Sequence, residues 1–173
     1  SIQELCTKQK IHPSQVIKVL IKLAILSGGK NKPILISLRG DQELNEVKLI
    51  NQLSKELGKT VLEISDITKE KLKEQGLSNF PLGYLGPDLS DSLLNNAINW
   101  DKKFLRVADK TASELNCFVC GGNKVNKHRS GVTWEQLGET PKAIDIRKAK
   151  VGDRCIFDET QLLEAKRGIE VGH

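Results

Sequence analysis

Val16-Ile17-Lys18-Val19-Leu20-Ile21-Lys22-Leu23-Ala24-Ile25-Leu26 is the stretch on which the fold turns. It is apolar apart from Lys18 and Lys22 and rich in β-branched residues, so period alone fits a buried strand or a buried helix. His12-Pro13-Ser14 just before it reads as a turn with Pro at a helix start. The reading adopted is a short helix ending near Val16, then a strand running to a turn at Gly28-Gly29. At eleven residues the run is too short to span a bilayer, and no signal-peptide pattern opens the chain.

Working outward, Pro33 to Leu38 is a second apolar strand, closed by Arg39-Gly40-Asp41. Leu44, Val47, Ile50, Leu53 and Leu57 recur every three to four residues and Gly58 follows, which predicts a helix with a glycine cap. Val61–Ile64 reads as a short strand, and Asp66 as the cap of a helix over 67–75 closed by Gly76. Asn79 to Asp88 is a Gly/Pro-rich loop, followed by a polar helix near 90–99, a strand over Phe104–Ala108 and a helix or turn near 111–116. Residues 121–131 read as a loop, and strands return near Ala143–Ile146 and Arg154–Phe157. Strands mixed irregularly with helices give an α/β (α+β) class, a single layered domain over 1–173 with a mixed β-sheet flanked by helices.

With 173 residues, 38% of them hydrophobic and only 4% aromatic, the chain can bury one ordinary core of Ile, Leu and Val. Four cysteines beside a full-sized core suit a reducing cytosol better than a disulfide scaffold. The net charge of +5 is unevenly placed. Residues 1–34 hold six lysines against Glu4 alone, while the rest carry 21 basic and 21 acidic side chains. That asymmetry points to a polyanion contacted locally, or to a solvated basic face.

Several features could carry chemistry. Lys18 lies inside an apolar run, so its ammonium either snorkels to water or binds an anion. Gly83-Tyr84-Leu85-Gly86-Pro87 can bring backbone N–H groups close to a phosphate or an oxyanion. Cys117-Phe118-Val119-Cys120 is half of a zinc site; His128 and Cys155 are the remaining candidates, and a buried turn flanked by two small residues is the other account. Walker A, dinucleotide and GxSxG motifs are absent from the sequence.

The C-terminal string Lys166-Arg167-Gly168-Ile169-Glu170-Val171-Gly172-His173 resembles the segment by which bacterial prolyl-tRNA synthetases return from their inserted editing domain to the catalytic core. Arg39-Gly40-Asp41-Gln42-Glu43-Leu44-Asn45-Glu46-Val47-Lys48 is similar to that family's RGDHELNEVK, and Gly83–Pro87 to its GSLGP loop. Ala108-Asp109-Lys110 answers to ADR, Gly121-Gly122-Asn123 to GAN, Lys127-His128 to GKH, and Gly131-Val132-Thr133-Trp134 to GVNW. Asp145-Ile146-Arg147 and Gly152-Asp153 follow in order, so the resemblance runs from Ile11 to His173.

The resemblance implies an aminoacyl-tRNA deacylase-like fold, excised from a longer synthetase, that hydrolyses alanine mischarged onto tRNA(Pro). A pocket shaped for proline cannot exclude smaller alanine, since each missing methylene is worth only ~1–3 kcal/mol. A second, tighter site must destroy the wrong ester. By position, Lys18 matches the family's lysine that anchors a phosphate of the CCA end, and Asp109 and His128 match the aspartate and histidine that shape the alanine pocket. Gly83, Tyr84, Leu85, Gly86 and Pro87 would face the ester carbonyl, with Gly121 and Asn123 beside the substrate. No metal or cofactor is implied; the implied partners are the tRNA(Pro) 3′ end and the catalytic and anticodon-binding domains of a homodimeric, cytoplasmic parent. Tyr84 replaces a Ser of the family pattern, Asn126 a Gly, Arg129-Ser130 a Tyr-Phe pair and Val19 a Thr. Cys117 and Cys120 stand where Asp and a small residue are frequent. The alternative is an insertion that binds tRNA or supports the synthetase without hydrolysing anything.

Overall fold

A computed structural model describes residues 2–138, 140–150, 153 and 163. Its centre is the hairpin of β1 (Ile17–Leu26) and β2 (Lys32–Arg39), antiparallel in a register from Ile17 opposite Arg39 to Ala24 opposite Lys32. β3 (Val61–Asp66) adds antiparallel to the outer half of β1. β4 (Leu105–Asp109) lies parallel to β2, and β7 (Lys142–Ile144) parallel to β4. The order is β3-β1-β2-β4-β7, a mixed sheet. β5 (Phe118–Gly121) and β6 (His128–Val132) form a separate antiparallel pair, joined to the start of β1 by a parallel bridge between Val119 and Val16.

Alternation along β1 and β2 explains why the sheet is covered on both faces. Ala24, Ile34, Ile36 and Leu38 face the helix α2 (Glu46–Leu57), whose Leu49 and Leu53 are fully buried against them. Leu23 and Leu35 point the other way, into a layer built from Ile67, Leu72, Leu77, Leu89, Leu94 and Phe104. α2 starts where Asn45 accepts a hydrogen bond from Lys48 N–H (3.1 Å) and stops at Gly58, whose φ of +60° suits glycine. A third cluster packs Phe118, Cys120, Val132 and Trp134 on Ile17, with the Phe118 and Trp134 ring centroids 4.8 Å apart.

Other expectations change. α1 (Ile2–Gln9) precedes the 3-10 turn at Pro13–Gln15 and went unread because only Leu5 and Cys6 of its residues are buried. α3 (Lys69–Glu74) is capped by Thr68 rather than Asp66, which ends β3 and pairs with Lys22. The polar helix at 90–99 shrinks to a 3-10 turn, Asp91–Leu94, while α4 (Lys110–Ser113) matches the expected turn or helix. The Cys117–Cys120 segment is not a buried turn flanked by two small residues: Phe118–Gly121 is a strand buried along its whole length, Cys120 included, while Cys117 lies just before it and is exposed. His128–Val132 is a strand where a loop was expected. The strand expected at Arg154–Phe157, Cys155, Gly152 and the string Lys166–His173 lie outside the described residues. Among the described residues no helix is long and apolar enough to cross a membrane.

Candidate functional site

β3 pairs with β1 only from Lys22 onward, so Ile17 to Ile21 keep an edge free of β3. Beside that edge a cavity of about 840 Å³ opens between α1, β1, the 83–85 loop and the β5–β6 hairpin. That volume suits a small-molecule-sized group. Lys18, Gly83, Tyr84, Leu85, Gly121 and His128 all line it. Residues as far apart in sequence as 18, 83 and 128 therefore share one hollow.

Lys18 is half-buried, and among the described residues no hydrogen bond or ion pair holds its ammonium. Burial draws its pKa below the usual lysine value, while the carboxylates of Glu43 and Asp41 favour the charged form. The contrast with Lys22 is instructive: four residues on, that ammonium is paired with Glu46 and Asp66. A part-desolvated cation without a partner is a ready anion site. Lys8 and Lys127 line the same cavity. Lys30 and Lys32 do not: they sit with Lys59 at a second hollow near the hairpin end, where Lys32 pairs with Asp101 at 3.1 Å. The basic N-terminal segment thus serves two ends of the sheet.

The 83–88 loop is fastened to the hairpin by close backbone approach. A Cβ on Gly121 would collide with the Tyr84 and Leu85 carbonyls, and one on Gly86 with the Arg129 guanidinium. Asn123 N–H donates to Tyr84 O (2.9 Å), and Asn123 Oδ1 accepts from Gly86 N–H (2.6 Å). Arg129 donates to both oxygens of Asp88 (3.0 and 2.7 Å) and to Gly121 O. Gly86 N–H is therefore already used, whereas those of Gly83 and Leu85 meet no acceptor among the described residues. Gly86, Pro87 and Asn123 stand behind the lining, with Pro87 O accepting from Arg106 (2.7 Å).

Asp109 is elsewhere. It is 1% exposed and outside the cavity lining. Its Oδ1 accepts from Ile146 N–H (3.0 Å) and Arg147 N–H (3.1 Å), and its Oδ2 from Thr111 N–H (3.0 Å) as the cap of α4. The site residues that the sequence reading missed are those of α1, Asn126, and the Arg129–Asp88 clamp. The first had a faint signal in the spacing of Ile2, Leu5 and Cys6. Asn126 and Arg129 stand out in the sequence only as departures from the family pattern, because an ion pair between residues 88 and 129 is not a local pattern.

Burial alone would raise the Asp88 carboxyl, yet hydrogen bonds from Arg129 and Asn123 and the guanidinium charge hold it below its ordinary value. A depressed folded-state pKa means the clamp stabilises fully above the ordinary carboxylate value and fades as pH falls through the lower, folded one. Replacing Arg129 with Ala is expected to lower stability by about 1–3 kcal/mol at pH 7 and by less under acid. Urea unfolding at both pH values checks this; an equal loss at both would remove the charge from the account.

The family model described as an aminoacyl-tRNA editing domain matches residues 1–137. The chain belongs to the aminoacyl-tRNA editing domain family. The proline–tRNA ligase of Prochlorococcus marinus (strain MIT 9303) is 57% identical over all 173 residues, and that of Synechococcus sp. (strain CC9311) 53%. The chain spans 29% of the length of each. A solved structure named as a candidate trans-editing enzyme for prolyl tRNA synthetase superposes with a TM-score of 0.57 at 14% identity, covering 86% of this chain and 80% of that one. At that identity the likeness concerns the fold, an editing-domain fold with the mixed sheet described above.

Proposed function

We propose that this chain is the post-transfer editing domain of a prolyl-tRNA synthetase and hydrolyses the ester of alanyl-tRNA(Pro). The observation that carries the reading is a half-buried Lys18 that has no hydrogen bond or ion pair among the described residues and shares one cavity with His128 and with two loop N–H groups that meet no acceptor there. Lys18 grips a phosphate of the terminal nucleotides. His128 and Tyr84 wall the aminoacyl end. Water, assisted by the neighbouring ribose hydroxyl, attacks the carbonyl carbon; Gly83 and Leu85 N–H groups donate to the carbonyl oxygen as it turns anionic. The C–O ester bond then breaks, the ribose oxygen leaves with a proton, and alanine and free tRNA(Pro) depart. Placement rather than a nucleophilic side chain supplies the rate.

The parent would be a homodimeric cytoplasmic synthetase carrying separate catalytic and anticodon-binding domains. Its ligase activity would belong to those domains. One observation favours a second reading, an insertion that binds tRNA without hydrolysis: Asp109, matched to a functional aspartate, spends its carboxylate inside the fold. Incubating the chain with labelled alanyl-tRNA(Pro) separates the two. Ester loss well above the spontaneous rate is the expected result; loss at the spontaneous rate favours the second reading.

A further inference from the structure

Tyr84 is the only tyrosine in the chain, and its hydroxyl donates to Asn126 Oδ1 at 2.8 Å. Its ring leans on that of His128, centroids 5.4 Å apart and planes tilted by 60°. Tyr84, Asn126 and His128 all line the cavity. Asn126 sits at φ +61°, a left-handed conformation that asparagine tolerates better than most residues. The backbone of Tyr84 is fixed independently: its N–H donates to Pro81 O, and its carbonyl accepts from Asn123 N–H, both at 2.9 Å. Two separate ties therefore hold this wall. The inner one, through Asn123, Arg129 and Asp88, fixes where the loop runs. The outer one fixes only where the Tyr84 ring lies.

We infer that the Tyr84–Asn126 hydrogen bond is a latch that holds the Tyr84 ring across the cavity wall and so sets the largest acyl group the cavity admits. This rests on the deacylase reading and adds the residues that determine its specificity. With the ring held against His128, Tyr84 bounds the hollow from the loop side. Releasing the hydroxyl frees the ring to swing; removing the ring widens the wall outright. Asn126 is exposed and Tyr84 only part-buried, so neither change strips the core.

The test is the ratio of hydrolysis rates for prolyl-tRNA(Pro) and alanyl-tRNA(Pro) in the 173-residue chain and its variants. Tyr84→Phe and Asn126→Ala should each raise that ratio about fivefold, as loss of one hydrogen bond implies. The double variant should match either single one rather than their product, because both break the same bond. Tyr84→Ser should raise the ratio tenfold or more, and Asn126→Asp, which keeps an acceptor, should stay close to the parent. Thermal midpoints within ~2 °C of the parent confirm that the fold is intact. If Tyr84→Ser hydrolyses the alanyl ester with an unchanged ratio, the latch is overturned and the deacylase reading stands. A parent chain that leaves the alanyl ester untouched overturns both.

Discussion

Replacing Asp109 with alanine is expected to lower the stability of this chain by about 3–5 kcal/mol, enough to unfold a large share of a marginally stable domain. The carboxylate is 1% exposed and accepts from three backbone N–H groups, those of Thr111, Ile146 and Arg147. Alanine leaves all three donors buried or part-buried without their acceptor and removes the cap of α4. Asparagine retains one carbonyl oxygen, so Asp109→Asn should cost about half as much. The consequences reach the cavity indirectly. The segment that Asp109 holds pairs with 43–45: Asn45 N–H donates to Ile146 O and Lys148 N–H to Glu43 O, each at 2.8 Å. Glu43 and Asp41 are the carboxylates that act on Lys18. Asp109 thus supports the electrostatic surroundings of the cation from outside the hollow. Urea unfolding decides: a variant with parental stability and no ester hydrolysis would put Asp109 in the chemistry instead.

Elements with a complete local signal were readable before any coordinates. α2 carries its apolar period, its Asn45 cap and its Gly58 stop within one stretch, and β2 is a continuous apolar run because both of its faces are covered. The ambiguous run at 16–26 resolved as β1 because a turn follows it and a second apolar strand returns beside it. β5 was hidden because its four residues are stabilised by partners from elsewhere, Ile17 below and β6 alongside. Thr68 displaced Asp66 as a cap because Asp66 is still paired in β3, opposite Lys22.

The candidate site shows the same division. Lys18 and the Gly83–Pro87 loop stand out as residue types in odd surroundings, an ammonium among aliphatics and glycines beside a proline. The hollow itself does not, since it exists only because β3 stops pairing at Lys22 and the hairpin docks at Val16. No local pattern says where a neighbouring strand ends. Nor does one say that Asp109 turns inward while Lys18 is left without a partner among the described residues.

Lys18→Ala is the second large effect. Removing a charge-assisted contact to phosphate is worth ~1.5–3 kcal/mol in the transition state, so single-turnover hydrolysis of alanyl-tRNA(Pro) should fall roughly ten- to a hundredfold. Stability should hold or rise slightly, because a part-desolvated ammonium is lost and no hydrogen-bond or ion-pair partner among the described residues is left behind. Arginine in its place should recover part of the rate by restoring the charge, and raising the salt concentration should slow the parent more than the alanine variant. The measurement that bears most directly on the whole account is that single-turnover comparison, parent against Lys18→Ala on the same alanyl-tRNA(Pro). A folded variant slower by one to two orders of magnitude is the result expected of a cation that holds the terminal nucleotide over the hollow. Equal rates in the two proteins would contradict it.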